Sequence, residues 1–181
     1  MNRRSFVLSN LGLILAGCGG DNDMEYQLSP SPTRTGDQLH SDVPGYAVGT
    51  WTPELRINNS STGITYVTQR GTFIRIGHSV FVGFYVELTS KGVGAGNVTI
   101  NGLPFTSQTG NTLTEAKGVI SWGNMVSSFV TMILHVPGNN DRIQIYALTA
   151  ASTDNRTQLT AAGIGNGAIF DGSIQYQARL R

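Results

Sequence analysis

Hydrophobic and polar residues alternate with period two through most of the chain, the signature of β-strands with one buried face. The clearest run is Val80–Leu88. Val80, Val82, Phe84, Val86 and Leu88 form one side, and Phe81, Gly83, Tyr85 and Glu87 the other. The stretch from Ser128 repeats the pattern: Val130, Met132, Leu134 and Val136 alternate with Phe129, Thr131, Ile133 and His135. In both strands the second face is itself partly apolar, so the outer surface is expected to meet something. The C-terminal strand is cleaner. Ile174, Tyr176, Ala178 and Leu180 alternate with Ser173, Gln175, Gln177 and Arg179, as a strand with one wet face should.

Further strands are predicted over Thr52–Ile57, Ile64–Gln69, Thr72–Ile76, Asn97–Ile100, Lys117–Trp122 and Arg142–Leu148. Turn residues separate them. Gly77-His78 has the length of a two-residue hairpin with Gly first. Asn58–Gly63, Gly92–Gly96 and Pro137–Asp141 are loop clusters. Thr160–Gly163 holds at most one helical turn. Gly71 before Phe73 suits a bulge or a close backbone approach, and Gly102–Phe105 a turn that seats Phe105 in the core. Trp51 reads as an aromatic lid, and Pro53 as a strand start or edge, since it has no N–H to donate. So many short strands predict an all-β fold, an antiparallel β-sandwich or jelly roll over residues 46–181.

The first 45 residues differ. Residues 1–20 carry Arg3 and Arg4 ahead of an apolar run from Phe6 to Ala16, with no acid before Asp21, which is the layout of an export signal. Asn2-Arg3-Arg4-Ser5-Phe6-Val7 resembles a twin-arginine signal, and Leu15-Ala16-Gly17-Cys18 a lipobox that would lipidate Cys18. The run is shorter than the ~20 apolar residues of a spanning helix. The other reading is an uncleaved attachment segment buried in a larger assembly. Residues 21–45 contain five acids against Arg34 alone, with Ser29-Pro30-Ser31-Pro32, and read as an extended acidic linker.

Composition narrows the function. Only 13% of residues are charged, where about a quarter is usual. The net charge is +1 and the basic residues are scattered, which argues against nucleic-acid binding. A single cysteine excludes an intrachain disulfide and a multi-Cys zinc site. His40, His78 and His135 share no ligand spacing, so no metal or cofactor is expected. The domain's acids are Glu54, Glu87, Glu115, Asp141, Asp154 and Asp171. A glycosidase needs two carboxylates roughly 5 to 9.5 Å apart across a sugar. Nothing in the spacing favours such a pair, and Asp141, Asp154 and Asp171 read as turn residues. No nucleophile elbow, phosphate loop or HExxH occurs, so no catalytic residue is assigned.

Several blocks occur in an order that carries a resemblance. They are Gly49-Thr50-Trp51-Thr52-Pro53, Thr62–Tyr66, Gln69–Gly77, Leu88–Gly92 and Ile100–Phe105. Together they resemble the β-sandwich domains of phage tail-fibre, tail-spike and head-fibre proteins, over about residues 46–181. The resemblance implies a non-enzymatic virion module, often a homotrimer. It would join other virion proteins through its N-terminal segment and contact a glycan or protein on the host surface. Phe81, Tyr85 and Phe129 are the expected oligomer-interface residues, and loops 106–115 and 149–157 the expected host contacts. The lipobox-like leader departs from the fibre pattern. It leaves open an exported envelope lipoprotein, anchored at Cys18, that uses the same sandwich. The intact mass of the native protein separates the two. A virion protein keeps Met1–Gly20; a lipoprotein starts at Cys18 and carries acyl mass.

Overall fold

In a computed structural model, residues 45–109, 116–149 and 157–179 are described. The expectations for the leader and linker, for Cys18, His40, Glu115, Asp154 and Leu180, and for most of loops 106–115 and 149–157, lie outside them. The strands are β1 (Tyr46–Trp51), β2 (Glu54–Ile57), β3 (Ile64–Ile76), β4 (Ser79–Lys91), β5 (Val98–Asn101), β6 (Ala116–Met125), β7 (Thr131–Val136), β8 (Arg142–Leu148), β9 (Thr157–Gln158) and β10 (Ile164–Gln177). One 3-10 turn, Ala161–Gly163, precedes β10. All pairings are antiparallel, so the all-β class is as expected.

The strands form one continuous sheet, in the order β1-β3-β4-β10-β6-β7-β8-β5-β2, with β9 on β8. The first and last strands of this path are consecutive in sequence, separated only by Thr52 and Pro53. So short a link spans at most about three peptide lengths of ~3.8 Å. The two ends of the sheet must therefore meet, and the sheet rolls. Side chains close the seam where backbone pairing stops. The Tyr66 hydroxyl accepts from Leu55 N–H at 2.9 Å and donates to Leu55 C=O at 3.2 Å. Gln69 Nε2 donates to Pro53 C=O at 2.9 Å. Tyr66 sits where the register with β4 slips, between Thr65 and Thr68, leaving Val67 unpaired and exposed. Such a slip re-aims side chains, and here it accompanies the turn of Tyr66 to the seam.

The inside of the roll is the core. Leu55, Val80, Val86, Leu88, Ile100, Leu134, Ile143, Ile145 and Phe170 are all at most 1% exposed. The inward set of β4 is the one the alternation marks, and β8 and the end of β10 agree as well. Val130 departs from expectation: it precedes β7 and is exposed. The expected strands Ile64–Gln69 and Thr72–Ile76 are one strand, in unbroken register from Gln69 to Ile76. Gly71 thus carries no bulge and serves a close approach instead. Leu103 is buried in the Gly102–Phe105 turn, while Phe105 packs edge-on against Phe73 at 5.3 Å.

Three aromatic residues lie across from glycines. Trp51 pairs with Gly71, Phe73 with Gly49, and Phe84 with Gly172. A Cβ at Gly49 would fall 2.8 Å from the Phe73 ring, and one at Gly172 would fall 2.8 Å from that of Phe84. One at Gly71 would overlap the Trp51 indole. Each glycine leaves room for its partner's ring to lie flat on the backbone. Trp51 and Phe84 then meet edge to face at 6.3 Å, a favoured aromatic geometry. The Trp51 N–H is buried with no hydrogen-bond partner among the described residues, so shape rather than polarity holds the ring.

Burial holds the hydroxyls of Tyr66 and Tyr176 above their ordinary range. Tyr176 donates to Phe105 C=O at 2.8 Å. A pKa raised on folding contributes stability in full below the unfolded value of about 10 and loses it as pH rises further. Stability should therefore decline above about pH 10, and the decline should be shallower in a Tyr66→Phe, Tyr176→Phe variant. At neutral pH, Tyr66→Phe orphans Leu55 N–H and should cost about 1–3 kcal/mol in urea unfolding. An unchanged midpoint would mean that the seam is held by something else.

Candidate functional site

On the outer face, the strand register sets three cross-strand rows. The first is Val48, Ile74, Phe81 and Gln175, on β1, β3, β4 and β10. The second is Thr50, Thr72, Gly83, Ser173 and Val119, and reaches β6. The third is Arg70, Tyr85, Asp171 and Ser121. Apart from Gln175 the first row is apolar and open: Val48, Ile74 and Phe81 are each close to half exposed, and Ile76 beside them is 52% exposed. The second row is built of small side chains, and the third carries charge and an aromatic ring.

The second and third rows together form an open groove of about 1030 Å³ across five strands. At about 4.8 Å per strand, five strands span roughly 19 Å. Gly83 makes the notch at its centre. A Cβ there would meet only Thr72 Oγ1, at 3.6 Å. Unlike Gly71 and Gly172, then, Gly83 leaves its space to solvent. On the bank, the Arg70 guanidinium lies 5.1 Å from the Tyr85 ring centroid. The Tyr85 hydroxyl donates to Glu87 at 3.2 Å. Partial desolvation, then the Glu87 contact, hold that hydroxyl above its ordinary range. The ring is thus propped from both ends, and Asp171 stands across from it on β10.

The structure brings Phe81 and Tyr85 together on this face, either side of Gly83. Phe129 is elsewhere. It lies before β7, half-buried against the core, its ring 2.8 Å from where a Cβ of Gly163 would be. Asp171, expected in a turn, lies within β10 and points to the groove. His78 Nδ1 is 3.4 Å from Ala178 O at the β3–β4 turn. His135 Nδ1 is 3.1 Å from Gln144 Oε1 on β7. Glu54 is bound to Arg56 at 2.7 Å. A hydrogen bond from Ser61, and then Arg56, lower its pKa against the opposing effect of burial. Among the described residues, no group of three His, Cys, Asp or Glu is placed to hold a metal. The groove itself escaped the sequence reading. Its floor comes from five separate strands, and only the Phe81-Gly83-Tyr85 alternation hinted at it.

No protein-family model matches the chain. No curated protein sequence matches it either. Among solved structures, the Dettilon tailspike protein (gp208) is similar, with a TM-score of 0.60 at 18% identity over 74% of this chain. The chain spans about a quarter (24%) of that tailspike's length. The likeness is one of fold, and it supports the fibre- and spike-like architecture that the sequence blocks resemble.

The two glycines make opposite predictions. Gly83→Val should leave stability within about 0.5 kcal/mol of the parent, because its side chain enters open groove. Gly71→Val should cost about 1–3 kcal/mol or more by overpacking against Trp51. Thermal or urea unfolding of both variants checks this. Equal losses would contradict the assignment of the two faces.

Proposed function

We propose that residues 46–181 form a non-enzymatic adhesion module of a phage fibre- or spike-type appendage, which attaches the particle to the host surface. The outer face carries this reading. It is open and grooved, it is centred on β3, β4 and β10, and the chain's fold is similar to part of a tailspike. Folded domains rarely leave a contiguous apolar patch on a sheet without a partner. Val48, Ile74, Ile76 and Phe81 form such a patch. We assign it to a second and third copy of the chain, in a homotrimer that places several grooves side by side. Multivalent presentation would raise avidity without new contacts. Tyr85 then serves the groove rather than the subunit contact, and Phe129 serves the core.

The non-enzymatic part of the proposal rests on the acids. Glu54 is paired with Arg56, Glu87 accepts from Tyr85, and among the described residues Asp171 is the one carboxylate that lines the groove. The N-terminal segment would join the module to the virion. The envelope-lipoprotein alternative is favoured by Leu15-Ala16-Gly17-Cys18 and would use the same face.

Sedimentation of the full chain should give a trimer, and a Phe81→Ser, Ile74→Ser variant should shift it toward monomer while keeping its β-sheet spectrum. The trimer should also adsorb to host cells without shortening their surface polysaccharide. A parent chain that stays monomeric at high concentration would remove the trimer. Polysaccharide shortening would make the module an enzyme.

A further inference from the structure

We infer that the groove over Gly83 is a binding site for a neutral oligosaccharide, read by Tyr85, Arg70, Asp171, Thr72 and Ser173. The inference rests on the attachment reading and names the site and the chemistry of its ligand. The sequence had pointed instead to loops 106–115 and 149–157 for host contacts.

Three observations select the ligand class. First, β3, β4 and β10 are each paired on both sides at the groove. Their backbone donors and acceptors are consumed, so an incoming peptide cannot add a strand over the middle of the groove. Recognition falls to side chains. Second, those side chains are hydroxyls, a guanidinium and a carboxylate around the Tyr85 aromatic ring. This set donates to and accepts from a ligand rich in hydroxyls while offering its C–H faces a flat apolar surface. Third, Arg70 and Asp171 oppose each other across Tyr85, with Glu87 on its hydroxyl. No excess of positive charge exists to hold a phosphate or an acidic sugar.

The site is also shaped in advance. The Arg70 contact and the Glu87 hydrogen bond hold the Tyr85 ring before any ligand arrives, which lowers the entropy of ordering on binding. From Phe81 to Tyr85 is four residues, about 13 Å along the strand, and Gly83 leaves the middle empty. The notch is wide enough for a sugar ring, while the length across five strands suits a chain of several sugars.

Saturation-transfer NMR on the full chain tests this, with maltohexaose, N-acetylchitotetraose and a mannan oligosaccharide as neutral probes and oligogalacturonate as the acidic control. At least one neutral probe should receive saturation, and oligogalacturonate should not. Tyr85→Ala should weaken binding about tenfold, the ratio that loss of an aromatic contact of about 1.4 kcal/mol sets. Gly83→Phe should abolish binding by filling the notch, with its melting temperature confirming the fold. Val126→Ser, at an exposed position outside the groove, should leave sugar binding unchanged. The inference is overturned if no neutral probe binds at millimolar concentration, or if Gly83→Phe binds as the parent does. Host-cell adsorption that survives Gly83→Phe would sink the groove while leaving the attachment reading standing; loss of adsorption alongside sugar binding supports both.

Discussion

The two-residue link between β1 and β2 is the constraint from which the architecture follows. It ties together strands at opposite ends of a single sheet. An open sheet with that connection is impossible, so the sheet rolls and one face becomes an interior. Everything inside must then fit a narrow space. That is why Trp51, at the start of the link, lies flat on Gly71, and why Phe73 and Phe84 lie on Gly49 and Gly172. The seam needs polar closure as well, because two strand edges meet there without pairing. Tyr66 and Gln69 supply it from β3, by hydrogen bonds to the backbone of Leu55 and Pro53.

Glycine has two jobs in this sheet. Facing inward it makes room for a ring, and a side chain would clash. Facing outward at position 83 it makes a notch, and a side chain would fit. The chemistry of the outer face depends on this division. The rolled interior absorbs the large apolar residues of β4, β8 and β10, and the outer rows are left to sort into an apolar strip, a small-residue floor and a charged aromatic bank. The strip suits another copy of the chain. The floor and bank suit a hydroxyl-rich ligand.

The strands of strict alternation were legible in the sequence. Val80 to Leu88, Arg142 to Leu148 and the end of β10 bury the residues that the period marks, because one face of each meets only core. The start of β10 was not legible. Gly165, Gly167 and Gly172, with Asn166 and Asp171, interrupt its apolar pattern. Yet it is a central strand, where close neighbours on both sides favour small residues. β1 was hidden for a similar reason, since Gly49 breaks its pattern to seat Phe73. Phe129 and Val130 precede β7, so the alternation read from Ser128 begins in the loop before the strand. The groove could not be read at all from local pattern, for it is a product of register among five strands. Only the aromatic-glycine-aromatic spacing of Phe81, Gly83 and Tyr85 lay within one stretch of chain.

The outer face around Gly83, rather than loops 106–115 and 149–157, is proposed to meet the host. Hydroxyl-radical footprinting of the full chain, free and adsorbed to host cells, tests it without altering any residue. Oxidation of Tyr85 should fall on adsorption, while exposed Val126 and Val130, outside the groove, react as before. Unchanged oxidation of Tyr85, with protection confined to the loops, would contradict the account.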